Sequence, residues 1–352
     1  MRTPVWLAEL GAKVLGAVDA ETAHYLTIRM LKDGWGPKVS LETPHLAMEV
    51  AGLSFPNILG LAAGFDKNAE AADAALDLGF GFVEVGAVTP RPQEGNPRPR
   101  VFRLRADAGV INRYGFNNDG LEVVAARLKA RERKGIVGVN LGANKDSEDR
   151  AEDYVTGVRG LAGLVDFFTV NISSPNTPGL RALQGKSTLE ELMRRVLTAR
   201  DDAAPGTPVF LKIAPDLADE DKADIADIAR ATALDGLIIS NTTITRAPNL
   251  RSAKAEEKGG LSGKPLFAMS TALLKEFYGT VGAEVPLIGV GGVSSARDAY
   301  EKILAGASLV QLYTALVYEG PGLLLRILNE LPSYLDADGF QTIAEAVGAA
   351  AR

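Results

Sequence analysis

The chain has no cysteine among its 352 residues. That absence excludes disulfides, thiolate metal sites, iron–sulfur clusters and cysteine nucleophiles, and it fits a reducing compartment. Histidine is nearly absent too: only His24 and His45 occur, both near the start. A reaction carried by the body of the chain must therefore move its proton through Ser, Thr, Tyr, Lys, Asp or Glu. Zinc lacks its usual nitrogen and sulfur ligands, so no metal site is expected. No apolar run approaches the ~20 residues of a membrane-spanning helix. The most apolar stretch near the start is only Val14-Leu15-Gly16-Ala17-Val18. Glu9 and Lys13 interrupt what would be the core of a signal peptide, which points to a cytoplasmic protein. A formal net charge of −6 argues against a nucleic-acid partner, since nothing in the sequence suggests a broad basic surface.

What is present is an ordinary globular composition, 46% hydrophobic and 23% charged. The first segment reads as two short helices. Val5, Trp6, Leu10, Val14 and Val18 recur at roughly helical spacing. Asp19 can cap a second helix carrying Leu26, Met30 and Leu31, which stops at Asp33-Gly34. Arg2, Lys13, Arg29 and Lys32 slightly outweigh Glu9, Asp19 and Glu21 here, although the whole chain is acidic. By itself the pattern favours a hairpin packed on the main domain over an amphipathic element resting on lipid. A connector rich in Pro and Gly, residues 34–44, follows.

From about residue 56 the chain alternates regularly. Short apolar runs suit buried parallel strands: Ile58–Ala62, Phe82–Val85, Ile136–Leu141, Phe167–Ile172, Val209–Ile213, Gly236–Ile239, Leu287–Val290 and Ser308–Leu312. Helical segments follow them, for example Ala69–Leu78, Leu121–Arg133, Leu189–Ala199, Ala296–Ala305 and Pro321–Leu331. Eight such units predict an α/β fold, a (β/α)8 TIM barrel. A doubly wound open sheet is the rival, and it lacks a G-x-G-x-x-G turn after the first strand.

A barrel builds its active site at the C-terminal ends of its strands. Those ends are polar almost throughout: Gly64-Phe65-Asp66-Lys67, Thr89, Asn140, Asn171, Ser173-Ser174-Pro175-Asn176, Lys212, Ser240-Asn241-Thr242, Gly291-Gly292 and Tyr313-Thr314. Polar residues capping otherwise apolar strands call for a ligand. Gly289-Val290-Gly291-Gly292 is either a tight turn or a phosphate cradle, and its place after the seventh strand favours the cradle. Lys212 is either a cation facing a cofactor or a snorkelling surface lysine; an interior strand favours the former. The runs 171–179 and 112–118, rich in Asn and Pro, read as shaped loops that offer amides to a planar, carboxylate-bearing ligand.

At these residues the sequence resembles the dihydroorotate dehydrogenases, and among them the class 2, quinone-reducing branch. The likeness spans nearly the whole chain. It runs from the hairpin through residues 63–67, Val88-Thr89-Pro90-Arg91-Pro92-Gln93, residues 112–118, residues 171–181, Ser240-Asn241-Thr242-Thr243 and Gly259-Gly260-Leu261-Ser262-Gly263. The resemblance implies oxidation of (S)-dihydroorotate to orotate in pyrimidine biosynthesis. One FMN takes the hydride from C6 at its N5, and a membrane quinone, ubiquinone or menaquinone, is the final acceptor. Ser174 matches the position of the class 2 base, where the soluble class 1 enzymes use cysteine; Thr177 and Phe116 lie where the family shapes its proton relay.

For the cofactor, the resemblance implies contacts from Ala63, Gly64, Phe65, Asp66, Lys67, Ala87, Asn140, Asn171, Lys212, Ser240, Gly263, Gly292, Tyr313 and Thr314. Position 87 is Ala where relatives carry Thr, a change that a main-chain contact survives. For the substrate it implies Lys67, Asn112, Arg113, Tyr114, Gly115, Phe116, Asn171, Asn176, Asn241 and Thr242, and for the quinone Arg103 and Tyr313. It also reverses the reading of the hairpin. Residues 1–45 become a membrane-resting cap with an apolar quinone tunnel, on a barrel of residues 46–352. The protein is then expected to be a monomer held peripherally at the cytoplasmic face of the cell membrane. Two other readings stay open: a soluble dihydroorotate dehydrogenase using fumarate or NAD, and a phosphate-binding barrel without redox chemistry.

Overall fold

In a computed structural model, residues 3–351 apart from Pro178 and Ala233 are described; Arg2 of the hairpin and the second proline of the 171–179 run lie outside the described residues. Eight parallel strands close into a barrel: β1 (Leu59–Leu61), β2 (Phe82–Val88), β3 (Ile136–Leu141), β4 (Phe167–Asn171), β5 (Val209–Ile213), β6 (Gly236–Ile239), β7 (Leu287–Val290) and β8 (Ala307–Leu312). They pair in chain order, and β8 returns to β1 with Leu312 opposite Leu61. The strands are buried on both faces, which is why they read as continuous apolar runs rather than alternating ones.

The N-terminal end of the barrel is plugged by aromatic rings. Phe82, Phe167 and Phe210 follow one another edge to face, with ring centres 6.2 and 5.3 Å apart, and Phe55 joins Phe82 at 5.1 Å. Glycines on neighbouring strands make room for them. A Cβ on Gly60 would lie 2.2 Å from the Phe82 ring, and one on Gly138 would lie 2.1 Å from Phe167. Phe55 is delivered by an antiparallel hairpin, Met48–Val50 with Leu53–Phe55, below the barrel. With the foot filled, ligand space is left only at the opposite end.

Two elements cover that end. One is an antiparallel three-stranded sheet of Val101–Leu104, Gly109–Asn112 and Gly260–Gly263, a piece the pattern did not reveal because glycine and polar residues interrupt its apolar runs. The other is the hairpin of α1 (Val5–Ala17) and α2 (Ala20–Lys32). Asp19 caps α2 as expected, accepting from the Glu21 and Thr22 amides. Ile28 and Leu31 of α2 belong to the same core as the barrel. A buried Glu21–Arg100 pair at 2.7 Å joins α2 to the loop before the three-stranded sheet. In contrast, α1 has no buried residue, and Trp6, Leu10 and Val14 are more than half exposed.

Several helices depart from their expected bounds, Leu121–Lys129 ending early and Lys186–Ala203 running longer at both ends, and two more show the reason. The segment 69–78 keeps only Ala72–Leu76 as helix, since Ala69 takes a positive φ and the Asp66 carboxylate holds the next two amides. The last long helix runs on from Gly322 to Asp338, through Pro332. Its buried stripe of Ile327, Leu328, Leu331 and Leu335 continues past the proline, and packing outweighs the missing hydrogen bond. Among the described residues, no helix is long and apolar enough to cross a membrane.

Candidate active site

One cavity of about 1300 Å³ begins at the C-terminal ends of the strands and continues between α1 and α2. Its floor is a run of side-chain amides tied to a buried carboxylate. Glu84, fully buried on β2, accepts from Asn140 Nδ2 at 2.6 Å and from Gln311 Nε2 at 2.5 Å. A carboxylate can only accept, so Asn140 is left to present its Oδ1, which receives Asn171 Nδ2 at 2.8 Å. The Asn171 oxygen then takes the Ser173 hydroxyl at 2.9 Å and, more distantly, Asn241 Nδ2 at 3.4 Å. The amides thus reach the cavity with their polarity fixed.

Ser174 lines this space, buried, and among the described residues its Oγ accepts only from the Asn176 amide at 3.3 Å. Thr177 nearby in sequence has a buried hydroxyl with no partner among the described residues. The end of the strand Gly109–Asn112 brings Asn112 Oδ1 within 3.4 Å of Asn176 Nδ2, and the loop after it puts Tyr114, Gly115 and Phe116 on the wall. Asn241 and Thr242 border it too; the Thr242 amide donates to Asn241 Oδ1 at 2.7 Å and its carbonyl accepts from Arg181 at 3.4 Å.

Lys67 is the chief cation of the site. Its ammonium donates to the Gly64 carbonyl at 2.7 Å and lies 4.2 Å from the centre of the Tyr114 ring. Burial pushes its pKa down to about 7, only partly opposed by Glu21. A bound carboxylate would restore its charge. Lys67 also meets His24 Nε2 at 3.2 Å, and His24 Nδ1 meets the Tyr313 hydroxyl at 3.2 Å. Burial, then the Lys67 charge, holds the His24 imidazole well below its usual range and therefore neutral. Lys212 is buried on β5, lines the cavity, and has no side-chain hydrogen bond or ion pair among the described residues.

At the far side, Gly263, Gly291 and Gly292 all have positive φ, and each approaches its neighbours too closely for a side chain. A Cβ on Gly263 would fall 2.4 Å from the Ala108 carbonyl oxygen. Such a bare turn lets main-chain amides reach an anion. Thr314 adds a hydroxyl beside it, donating to Ser262 Oγ at 2.9 Å. Ala63, Gly64, Phe65, Ala87, Ser240 and Tyr313 complete the inner wall.

Two expected residues face elsewhere. Asp66 spends both oxygens on the amides of Glu70 and Ala71. Arg113 pairs with Glu257 at 2.8 Å and caps the Lys258 and Pro99 carbonyls, with its guanidinium over Phe102. Their side chains do not line the cavity, whatever their main chains contribute. Sequence reasoning in turn missed Glu84, Gln311 and His24. The first two carry a readable signal, a single polar residue inside an apolar strand; His24 carries none.

Toward the hairpin the lining turns apolar, with Leu7, Leu10, Val14, Met30 and Leu31. Arg103 reaches in from the three-stranded sheet and holds the last carbonyls of α1, donating to Val18 O at 2.6 Å and Gly16 O at 3.0 Å. Its Nε is buried with no partner among the described residues.

Residues 45–335 match the family model described as dihydroorotate dehydrogenase. The chain belongs to the dihydroorotate dehydrogenase family. It is 57% identical over 345 residues to the dihydroorotate dehydrogenase (quinone) of Parvibaculum lavamentivorans, covering 97% of this chain and 98% of that one. The counterpart in Rhodospirillum rubrum is 56% identical over 335 residues, with 94% and 91% covered. Among solved structures, DHODH from Eimeria tenella in complex with ferulenol superposes with a TM-score of 0.93 at 40% identity, covering 98% of this chain and 99% of that one. A dihydroorotate dehydrogenase oxidises dihydroorotate in pyrimidine synthesis, and this chain is an oxidoreductase of that family, built on a TIM barrel as expected.

Proposed function

We propose that the chain passes electrons from dihydroorotate through one FMN to a membrane quinone, ubiquinone or menaquinone, with all three housed in one cavity. The carrying observation is that cavity's extent. At about 1300 Å³ it exceeds the roughly 300–1000 Å³ that a single small ligand needs. It is polar at the barrel mouth and apolar between the helices.

The residues present suit a flavin. The bare turn of Gly263 and Gly292, with Thr314, fits a phosphate end. The Lys212 ammonium and Gln311 Oε1, both without a partner among the described residues, fit the edge of a polar ring. Ala63, Gly64, Phe65, Ala87, Asn140, Asn171, Ser240 and Tyr313 would enclose it. When bound, FMN supplies the two-electron acceptor. Lys67, Asn112, Asn171, Asn176, Asn241 and Thr242 then hold the substrate's carboxylate and ring amides, and Tyr114, Gly115 and Phe116 shape the loop above. Ser174 Oγ receives the C5 proton. A serine hydroxyl is a weak base unless it can pass the proton on, and the buried hydroxyl of Thr177 is the group available.

In this reading residues 1–45 act as a cap, with the exposed face of α1 resting peripherally on the cytoplasmic side of the cell membrane. Arg103 Nε, a buried donor without a partner among the described residues, and Tyr313 meet the quinone head. Because one chain completes the cavity, a monomer suffices. The test is a stopped-flow experiment that separates bleaching of the flavin by dihydroorotate from its reoxidation by a quinone analogue. Replacing Leu7, Leu10 and Val14 together by Asn should leave bleaching intact and slow reoxidation. Equal slowing of both steps would sink the cap's role.

A further inference from the structure

One buried cation plays no part in the chemistry above. Lys302, on the helix Ala296–Leu304 behind β7, is 0% exposed. Lysines are almost never fully buried unless paired. Here no carboxylate pairs with it among the described residues; its one hydrogen bond runs from Nζ to Ser270 Oγ at 2.6 Å. Burial pushes its pKa down to about 7, with Asp298 pulling weakly the other way. The group sits in wait of a nearby anion.

The hydroxyl it contacts leads directly to the glycine turn. Ser270 Oγ is placed to donate to the Gly291 carbonyl at 3.0 Å, with the Phe267 carbonyl at 3.1 Å as the alternative. The turn is pressed against this anchor. A Cβ on Gly291 would lie 2.8 Å from Ser270 Oγ, and one on Gly292 would lie 2.5 Å from Phe267 Cβ. In a planar trans peptide the carbonyl and the following N–H point in opposite directions. Drawing the Gly291 carbonyl back toward Ser270 therefore turns the Gly292 N–H away from Ser270, and both glycines line the cavity.

We propose that Lys302, acting through Ser270, is the positioning residue that orients and charges the Gly291-Gly292 turn for a phosphate group. The proposal rests on the reading that this turn takes the phosphate end of FMN. A cation held in the low-dielectric interior acts over several ångströms with little screening by salt, so it needs no direct contact with the anion. The bound anion in turn keeps the ammonium charged.

The test titrates the full-length flavin-free protein with FMN and with riboflavin, which lacks only the phosphate, following flavin fluorescence. Lys302→Met should weaken FMN on the order of tenfold while riboflavin affinity stays within about twofold. Ser270→Ala, which keeps the charge and removes the bridge, should show the same selectivity at smaller size. Equal weakening toward both flavins, or no change toward FMN, overturns the proposal, because a purely structural lysine cannot tell them apart. If Lys302→Met does not fold, Ser270→Ala decides alone by the same criterion. A wild-type protein that binds both flavins equally would instead strike down the phosphate reading of the turn, a result distinguishable from an unresponsive Lys302.

Discussion

The foot of the barrel and the first helix are both rich in large apolar side chains, and they use them in opposite ways. At the foot, Phe55, Phe82, Phe167 and Phe210 are almost fully buried, each ring fitted against another ring, with glycines on adjacent strands leaving the space. Along α1, Trp6, Leu10 and Val14 stand in solvent, and the helix has no buried residue at all. Apolar surface is stabilising only where something covers it. The foot is covered by the chain itself and supplies stability. An apolar helix face left uncovered beside the mouth of an apolar channel suits a lipid surface.

The sharpest way to break the contrast is at the foot. Phe167→Ala should cost about 3–5 kcal/mol of folding stability by removing a ring with no space to collapse into, measured by denaturant unfolding. A loss below about 1 kcal/mol would mean that the foot is not the stabilising region. At the mouth, Ser174→Ala should slow flavin reduction by dihydroorotate at least about a hundredfold while leaving FMN bound and stability unchanged. Unchanged single-turnover bleaching would remove Ser174 from the proton path.

Within the hairpin the expected effects shrink. Asp19→Ala should cost about 1 kcal/mol of α2 stability, visible as faster amide exchange across Ala20–Lys32. The hydrogen bond from the Thr22 amide, first among its causes, holds the Asp19 carboxyl below its usual range. The cap's contribution is therefore complete above the ordinary carboxylate value and fades as pH falls through the lowered one. A variant whose deficit persists at strongly acidic pH would contradict this. The smallest effect belongs to the exposed face: Trp6→Ala should change folding stability by less than about 0.5 kcal/mol yet weaken binding to anionic vesicles severalfold. A stability loss without any loss of vesicle binding would make α1 an ordinary packed helix.

Much of this architecture was legible in the linear chain, and the reasons differ by element. The barrel strands were readable because burial on both faces writes them as unbroken apolar runs. The polar residue closing each run marked the mouth. Asp19 as a cap, and the places of Lys67, Ser174, Lys212 and the glycine turn after β7 along the cavity wall, all followed from residue type and position. The three-stranded sheet escaped because glycine and polar residues break up the apolar runs of its strands. The helix running through Pro332 escaped because the proline reads as a stop when the packing behind it is unseen.

Residue order alone determined the kind of fold, the end of the barrel where the cavity opens, and the chemistry open to a chain without cysteine and almost without histidine. These are local properties, set by backbone preference, hydrophobic pattern and side-chain inventory. Only the tertiary structure decided that Arg113 and Asp66 turn their side chains away from the cavity and that Glu84 fixes the polarity of the amides. It alone brought Lys302 beneath the glycine turn and ran the mouth into the hairpin as one space. Those facts depend on which distant side chains meet in a low-dielectric interior, where a single buried charge or an unfilled volume outweighs local preference.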